Sequence, residues 1–395
     1  MPLGLDDEIR ASVAEIPVPD IPTPAFVTPP ALSEARVAIL TTGGLHSAED
    51  EAWAAGDQSF RVLRGETAEL VLGHRSPNYD RLGFLQDPNV ILPADRLDEL
   101  AQDGTIGSVA DQHISFQGGQ GGNLSTITLD SGPAAAAVLK ADDVDVVLIT
   151  PVCPLCTRTG GVIAHAIEAA GIATVTISLV REVSERLAPP RSLFCRFPFG
   201  RPLGRPDDPA FQREVLLSAF GLLEERPAPV LRDFPIAVGA AEAPLSCSVG
   251  LAHDPSLPPE VDEATALRPA YERQRAASGR TNLGRVVDAD ELPDLVGSLI
   301  AFRDGADWEA VGLDPSTRSV AADVRSYYEE AALSLADGPQ AAHAGEAWFF
   351  EQTLTGTLLR DVHARLKAES PDHRERWFYV VPRAYQSRDL PGREG

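Results

Sequence analysis

The sequence predicts an α/β fold, a doubly wound and mostly parallel sheet followed by a largely helical C-terminal part, and three observations carry that prediction. Two short β-branched and aliphatic runs, residues 146–149 and 173–179, bracket a segment whose apolar residues recur at three- and four-residue steps, which makes a βαβ unit. Residues 36–42 (Arg-Val-Ala-Ile-Leu-Thr-Thr) form a second buried run that ends in Gly43-Gly44. Residues 251–302 and 323–367 read as helices broken by loops.

A chain of 395 residues exceeds one ordinary core. We therefore expect a proline-rich extension over 1–35, an α/β core over 36–225, a proline-rich linker over 226–258 and a mainly helical part over 259–395. Hydrophobic content of 44% with 23% charged residues is ordinary for a globular protein. No stretch approaches the ~20 apolar residues of a membrane span, and the N-terminal Met-Pro-Leu-Gly-Leu-Asp-Asp-Glu lacks the basic-then-apolar order of a secretory signal. A cytoplasmic location is the expectation. Acidic residues outnumber basic ones 58 to 34, a net charge of −24, which disfavours nucleic acid and anionic membrane as partners.

The elements follow in order. Six prolines between Pro17 and Pro30 suggest that the N-terminal segment wraps a surface in extended form. After the strand at 36–42, Gly43 and Gly44 either let backbone approach a substrate or make a tight turn, and His46 reads as exposed or hydrogen-bonded. Residues 60–72 alternate loosely and lead to His74, Asn78, Tyr79 and Asp80, a polar loop that either shapes a substrate site or forms an Asx-type turn. Pro93 starts a helix over 94–102 that Gly104 ends. Residues 106–116 are strand-like, residues 117–122 (Gln-Gly-Gly-Gln-Gly-Gly) read as a flexible loop, and 132–141 form an alanine-rich helix. Past residue 188, prolines and glycines punctuate an irregular stretch made locally basic by Arg191, Arg201 and Arg205. That stretch either meets a carboxylate or phosphate, with Arg191 as the substrate-binding candidate, or docks on the protein's own acidic surface. A helix follows over 209–225, Trp348, Phe349 and Phe350 read as core, and residues 378–381 as a short late strand.

The chemical centre lies inside the βαβ unit. Cys153-Pro-Leu-Cys156 sits between the strand stopped by Pro151 and the helix that Gly171 closes, at the carboxyl end of a strand where ligands gather in open α/β sheets. The amides and dipole of a helix start favour a thiolate, and Arg158 adds positive charge. Each dipole contact stabilises by roughly 0.3 to 1 kcal/mol, less than one pKa unit, so dipole and arginine act together. Four cysteines are too few for a secreted disulfide framework. A close pair in a reducing compartment is redox-active or binds metal. Cys195 and Cys247 read as small buried hydrophobes.

These residues resemble the glycine/sarcosine/betaine reductase component B and D-proline reductase family, the selenoprotein B family. The resemblance rests on Asp145-Val-Val-Leu-Ile-Thr150 leading into Cys153-Pro-Leu-Cys156-Thr-Arg-Thr-Gly160, on Ile167-Glu168-Ala-Ala-Gly171-Ile-Ala-Thr-Val175, on Pro202-Leu-Gly204, and upstream on Thr41-Thr-Gly-Gly44 and residues 97–107. It covers roughly residues 36–225. Two residues depart from the family motif: Cys153 stands at the selenocysteine position and Thr159 at that of a further cysteine. The resemblance implies a thiol-dependent reductase or reductive lyase that cleaves a C–N or other carbon–heteroatom bond of a small substrate. Cys153 would be nucleophile, Cys156 resolving thiol and Arg158 an anion stabiliser, with no cofactor beyond the dithiol in this chain. It further implies a thioredoxin-like reductant, a partner reductase subunit carrying a pyruvoyl group, and an oligomeric assembly. The alternatives are a zinc centre built on the cysteine pair and a non-catalytic subunit of a reductase complex.

Overall fold

A computed structural model of the chain describes residues 4–21, 24–64, 70–239, 254–336 and 340–386; Cys247 and part of the expected linker lie outside them. The chain divides into two compact units. One spans Asp6–Gly239, and the other is formed by Ala240–Gly395 with Met1–Leu5.

The first unit is built on a sheet whose strands are short and buried where the sequence is β-branched and aliphatic. They are β1 (Arg36–Thr41), β3 (Phe60–Leu63), β5 (Ser108–Val109), β6 (His113–Phe116), β7 (Val146–Thr150), β8 (Ala173–Ser178), β9 (Arg191–Phe194) and β10 (Val230–Asp233), while β2 (Leu45–Ser47) and β4 (Leu70–Leu72) form a separate ribbon. The order is β10-β9-β8-β7-β1-β6-β3, with β5 also on β1. Every pairing is parallel except β3 on β6. Val37 to Leu40 and Val146 to Ile149 are wholly inaccessible, as continuous apolar strands covered on both faces should be. The helices form two groups against the sheet: α4 (Gly132–Ala141), α5 (Cys156–Ala169) and α6 (Arg181–Leu187) side by side, and α3 (Ala94–Gln102) with α7 (Pro209–Gly221). The order of strands reverses at β1. The chain leaves it for β6 on one side and returns to β7 on the other, so the carboxyl ends of β6, β1 and β7 meet at a topological switch point.

Several expectations are corrected. The N-terminal segment is not extended throughout, because α1 (Gly4–Ala14) is a helix. Beyond it the chain does run as a strap: Arg186 donates to Ala14 O and Ile16 O, and Arg158 to Pro17 O. The helix after the cysteines is not amphipathic but buried all round from Cys156 to Glu168. Its polar residues find partners inside the fold, Thr157 Oγ1 from the Leu179 amide and His165 Nε2 with the Leu187 carbonyl, while His165 Nδ1 is buried with no partner among the described residues. Strands β9 and β10 sit in stretches whose prolines read as irregular.

The second unit is helical: α8 (Pro259–Ser278), α9 (Leu292–Arg303), α10 (Thr317–Leu335), α11 (Ala344–Gln352) and α12 (Leu354–Glu369). Trp348, Phe349 and Phe350 are core. Residues 378–381 form turns and no strand. Trp377, Phe378 and Tyr379 stack edge to face on one another, and this replaces strand pairing as the reason for the aromatic run.

Candidate active site

At the switch point three loops converge on the sulfurs. Cys153 lies in the loop after β7, and its carbonyl accepts the amide of Cys156 at 3.0 Å, a turn that brings the second cysteine to the first position of α5. The two Sγ atoms stand 2.8 Å apart. A disulfide requires them to close by only roughly 0.8 Å. From β1, the Thr42 carbonyl accepts from Cys156 Sγ at 3.7 Å and from the Gly118 amide at 3.1 Å. Gly118 and Gly119 pass over both sulfurs. A Cβ on Gly118 would sit 2.2 Å from Cys156 Sγ, and one on Gly119, whose φ is +72°, 3.6 Å from Cys153 Sγ.

His74 enters from the loop after β4. The Gly43-Gly44 pair positions it: Gly44, at φ +62°, donates to Phe116 O and accepts from Gly73 N and Trp53 Nε1, and its α-carbon faces the His74 amide closely enough that a Cβ would lie 3.1 Å from it. His74 Nε2 lies 3.2 Å from Cys156 Sγ, and Nδ1 accepts from Ser76 N at 3.0 Å. His74, Cys153 and Cys156 are all buried.

Burial pushes the Cys153 thiol well above the ordinary range, and the hydrogen bond and charge of Cys156 act the same way against the opposing amides of Leu155 and Cys156. Burial also acts to raise Cys156, but the hydrogen bond with Cys153 and then the charge and hydrogen-bond interactions with His74 override it and hold this thiol well below the ordinary range. The two sulfurs are thus held apart in acidity, with the proton bound more tightly on Cys153 and Cys156 the more acidic of the pair. Cys195 is raised by burial alone and has no such partner.

The expected site residues separate into two sets. Cys153, Cys156, His74, Gly43 and Gly44 come together. Arg158 lies in the same helix turn but donates to Pro17 O, Gln120 O and Gly122 O, so its guanidinium fixes the glycine loop and the strap and is not presented to an anion. Residues 117–122, read as flexible, are pinned by it. Arg191 is not a surface cation: it pairs at 2.8 Å with Glu168, both side chains fully buried, and lies 3.9 Å over the Phe26 ring. Arg201 and Arg205 are engaged by Asp80 and Asp208. His46 is hydrogen-bonded, Nδ1 to Ser47 O at 2.7 Å.

Four residues were missed: Thr42, Gln117, Gly118 and Gly119. Among the described residues, Thr42 Oγ1 and both polar atoms of the Gln117 amide are buried without a hydrogen-bond partner; Thr42 shares the space at Gly118 with Cys156 Sγ, and the Gln117 amide faces Gly44. The signal was a glycine pair directly after a strand, the same one that drew attention to Gly43-Gly44.

The donor atoms of His74, Cys153 and Cys156 all lie within 4.8 Å of one another, a spacing that also suits a metal. The tautomer opposes it. Nε2 ligation of a neutral imidazole needs the proton on Nδ1 and an acceptor there, and Nδ1 instead faces the Ser76 amide N–H.

Residues 12–152 match the family described as glycine/sarcosine/betaine reductase selenoprotein B. The D-proline reductase subunit gamma of Acetoanaerobium sticklandii is 32% identical over 225 residues, 56% of this chain and 91% of that protein. A glycine reductase complex component B subunit gamma of Carboxydothermus hydrogenoformans is 30% identical over 213 residues, 50% of this chain and 47% of that one. A sarcosine reductase complex component B subunit beta of Peptoclostridium acidaminophilum is 27% identical over 205 residues, 49% and 46%. The chain thus spans most of the proline reductase subunit and about half the length of the other two. No solved structure matches. With a cysteine pair at the switch point of a parallel sheet and a relative of this similarity spanned almost end to end, the chain belongs to the glycine/sarcosine/betaine reductase selenoprotein B family.

Proposed function

We propose that this chain is the thiol-bearing subunit of a reductase complex that cleaves a C–N, or related carbon–heteroatom, bond of a small substrate. The observation that carries the reading is the pair of buried sulfurs 2.8 Å apart at the meeting of three strand ends. Cys153 attacks the carbon that bears the leaving group, so that a C–S bond forms as the C–N bond breaks. The amides of Leu155 and Cys156, directed at Cys153, stabilise the anionic sulfur on the way. Cys156 then attacks the Cys153 sulfur. The disulfide forms, the C–S bond breaks with its electron pair left on carbon, and a proton from water completes the reduced product. Two thiols supply the two electrons, and a thioredoxin-like dithiol restores them.

The relatives' names point to small amino acids and their N-methyl derivatives as the substrate class. A partner subunit carries the pyruvoyl group that activates the amine. Arg158 acts here as the clamp of the glycine loop, and Gly44 seats His74. The test uses extracts of cells whose chromosomal copy carries Cys153→Ser or Cys156→Ser, offered D-proline, glycine, sarcosine or betaine with excess dithiol. Either substitution should abolish reductive cleavage of the substrate that wild-type extract consumes; unchanged turnover in Cys153→Ser contradicts the proposal.

A further inference from the structure

We infer that His74 is a positioning residue of the thiol centre: locked as an Nε2–H donor by the Ser76 amide, it makes Cys156 the sulfur that carries the negative charge in the reduced pair. This rests on the dithiol reading above and adds what decides which thiol is charged.

A backbone N–H only donates, so the Ser76 amide 3.0 Å from Nδ1 makes that nitrogen an acceptor. A neutral ring with a lone pair on Nδ1 carries its proton on Nε2. Nε2 in turn lies 3.2 Å from Cys156 Sγ. The ring is kept in plane by more than this pair of bonds. Tyr79 packs edge-on at 5.0 Å between centroids, and Gly44 lies against the His74 backbone, where a Cβ would stand 3.1 Å from its amide nitrogen.

Cys153 Sγ from the same loop lies 2.8 Å from Cys156 Sγ, and Arg158, the nearest cation along α5, is turned to the carbonyls of Pro17, Gln120 and Gly122. From β1 and from the loop after β6, the groups packed on the Cys156 sulfur are the Thr42 carbonyl and the Gly118 backbone. Among these, His74 and Cys153 are the titratable groups facing it; the Nε2–H of His74 is the donor that the Ser76 amide fixes, and the Thr42 carbonyl is an acceptor.

This gives the proton a path. When Cys153 attacks, its S–H proton passes to Cys156 and from there to the departing nitrogen. Cys156, anionic again under the His74 donor, then displaces the carbon from Cys153. His74 keeps its own proton throughout, so it acts through Cys156 and is not itself consumed or regenerated.

The geometry separates two polar substitutions. The Gln side chain places its amide N–H where Nε2 stands, whereas Asn reaches only to the position of Nδ1. The experiment follows the ultraviolet absorbance of the thiolate against pH in full-length Cys153→Ser, as the difference from Cys153→Ser/Cys156→Ser, alone and combined with His74→Gln or His74→Asn. Serine at 153 keeps a donor toward Cys156. We expect His74→Asn to move the midpoint up by at least one pH unit, a tenfold fall in the acid dissociation constant of Cys156, and His74→Gln to retain most of the wild-type position. Equal midpoints in all three, or equal shifts in Gln and Asn, overturn the assignment. The readout needs no substrate, so a wild-type chain that forms no Cys153–Cys156 disulfide would defeat the reductase reading and leave this one to stand or fall on the titration.

Discussion

The two ends of helix α5 bury polar groups with opposite consequences. At its start, Cys156 sits against Cys153, His74 and the Thr42 carbonyl, an arrangement that leaves one proton to be moved and two sulfurs ready to bond. At its end, Glu168 receives the Thr174 amide, the Val27 amide and the Arg191 guanidinium, and nothing there can move without leaving a charge buried and unpaired. The first centre is reactive because its groups are soft and share a proton. The second is inert because its charges are matched, and it fixes the N-terminal strap to the sheet through Val27 and Phe26.

Substitutions should therefore separate the ends by what they destroy. The largest expected effect on chemistry is Gly118→Ala. Its Cβ would stand 2.2 Å from Cys156 Sγ and 2.7 Å from Thr42 O, so turnover and disulfide formation should both disappear while circular dichroism stays native; a fully active variant would show that the loop does not lie over the sulfurs. At the other end, Arg191→Leu should lower stability by about 3 to 5 kcal/mol, as expected for orphaning a buried partner. Denaturant unfolding measures this, and the surviving folded protein should still oxidise Cys153 and Cys156.

Smaller effects follow. Arg158→Ala removes three hydrogen bonds to loop and strap carbonyls without touching a sulfur. Turnover should fall roughly tenfold, about 1.4 kcal/mol of lost positioning, and limited proteolysis should find residues 117–122 newly cleavable. In pH, a thiol held below its ordinary range is charged above that depressed value and protonated as pH falls through it. Disulfide formation should accordingly reach its plateau at a lower pH than in an unperturbed pair and slow on the acid side of that depressed value. Smallest of all, Cys195→Ala removes a buried thiol that touches no part of the centre. A stability loss of about 1 kcal/mol with unchanged thiol chemistry is expected.

The same contrast explains what could be read from the sequence. Cys153 and Cys156 were legible because strand, turn and helix are local, and three residues suffice to bring one cysteine to the other. Gly43 and Gly44 were legible as a strand-end pair, though what they support was not. The contact of His74 with Cys156 spans 82 positions and depends on the β2–β4 ribbon, which no periodicity announces. Arg191 was misread for the complementary reason. Its prolines and neighbouring arginines suggest a basic surface loop, whereas its partner Glu168 lies 23 positions away on a helix that looked amphipathic only because its polar residues are satisfied inside. Residues 378–381 carry the aromatic and β-branched composition of a strand, and it serves ring stacking instead.

The most direct test of the dithiol centre is a thiol count on the full chain before and after a mild oxidant, with the modified peptides mapped. Loss of two thiols, both assigned to Cys153 and Cys156, with Cys195 still reduced, is the predicted result. Retention of either Cys153 or Cys156 as a free thiol, or its pairing with another cysteine, would contradict it.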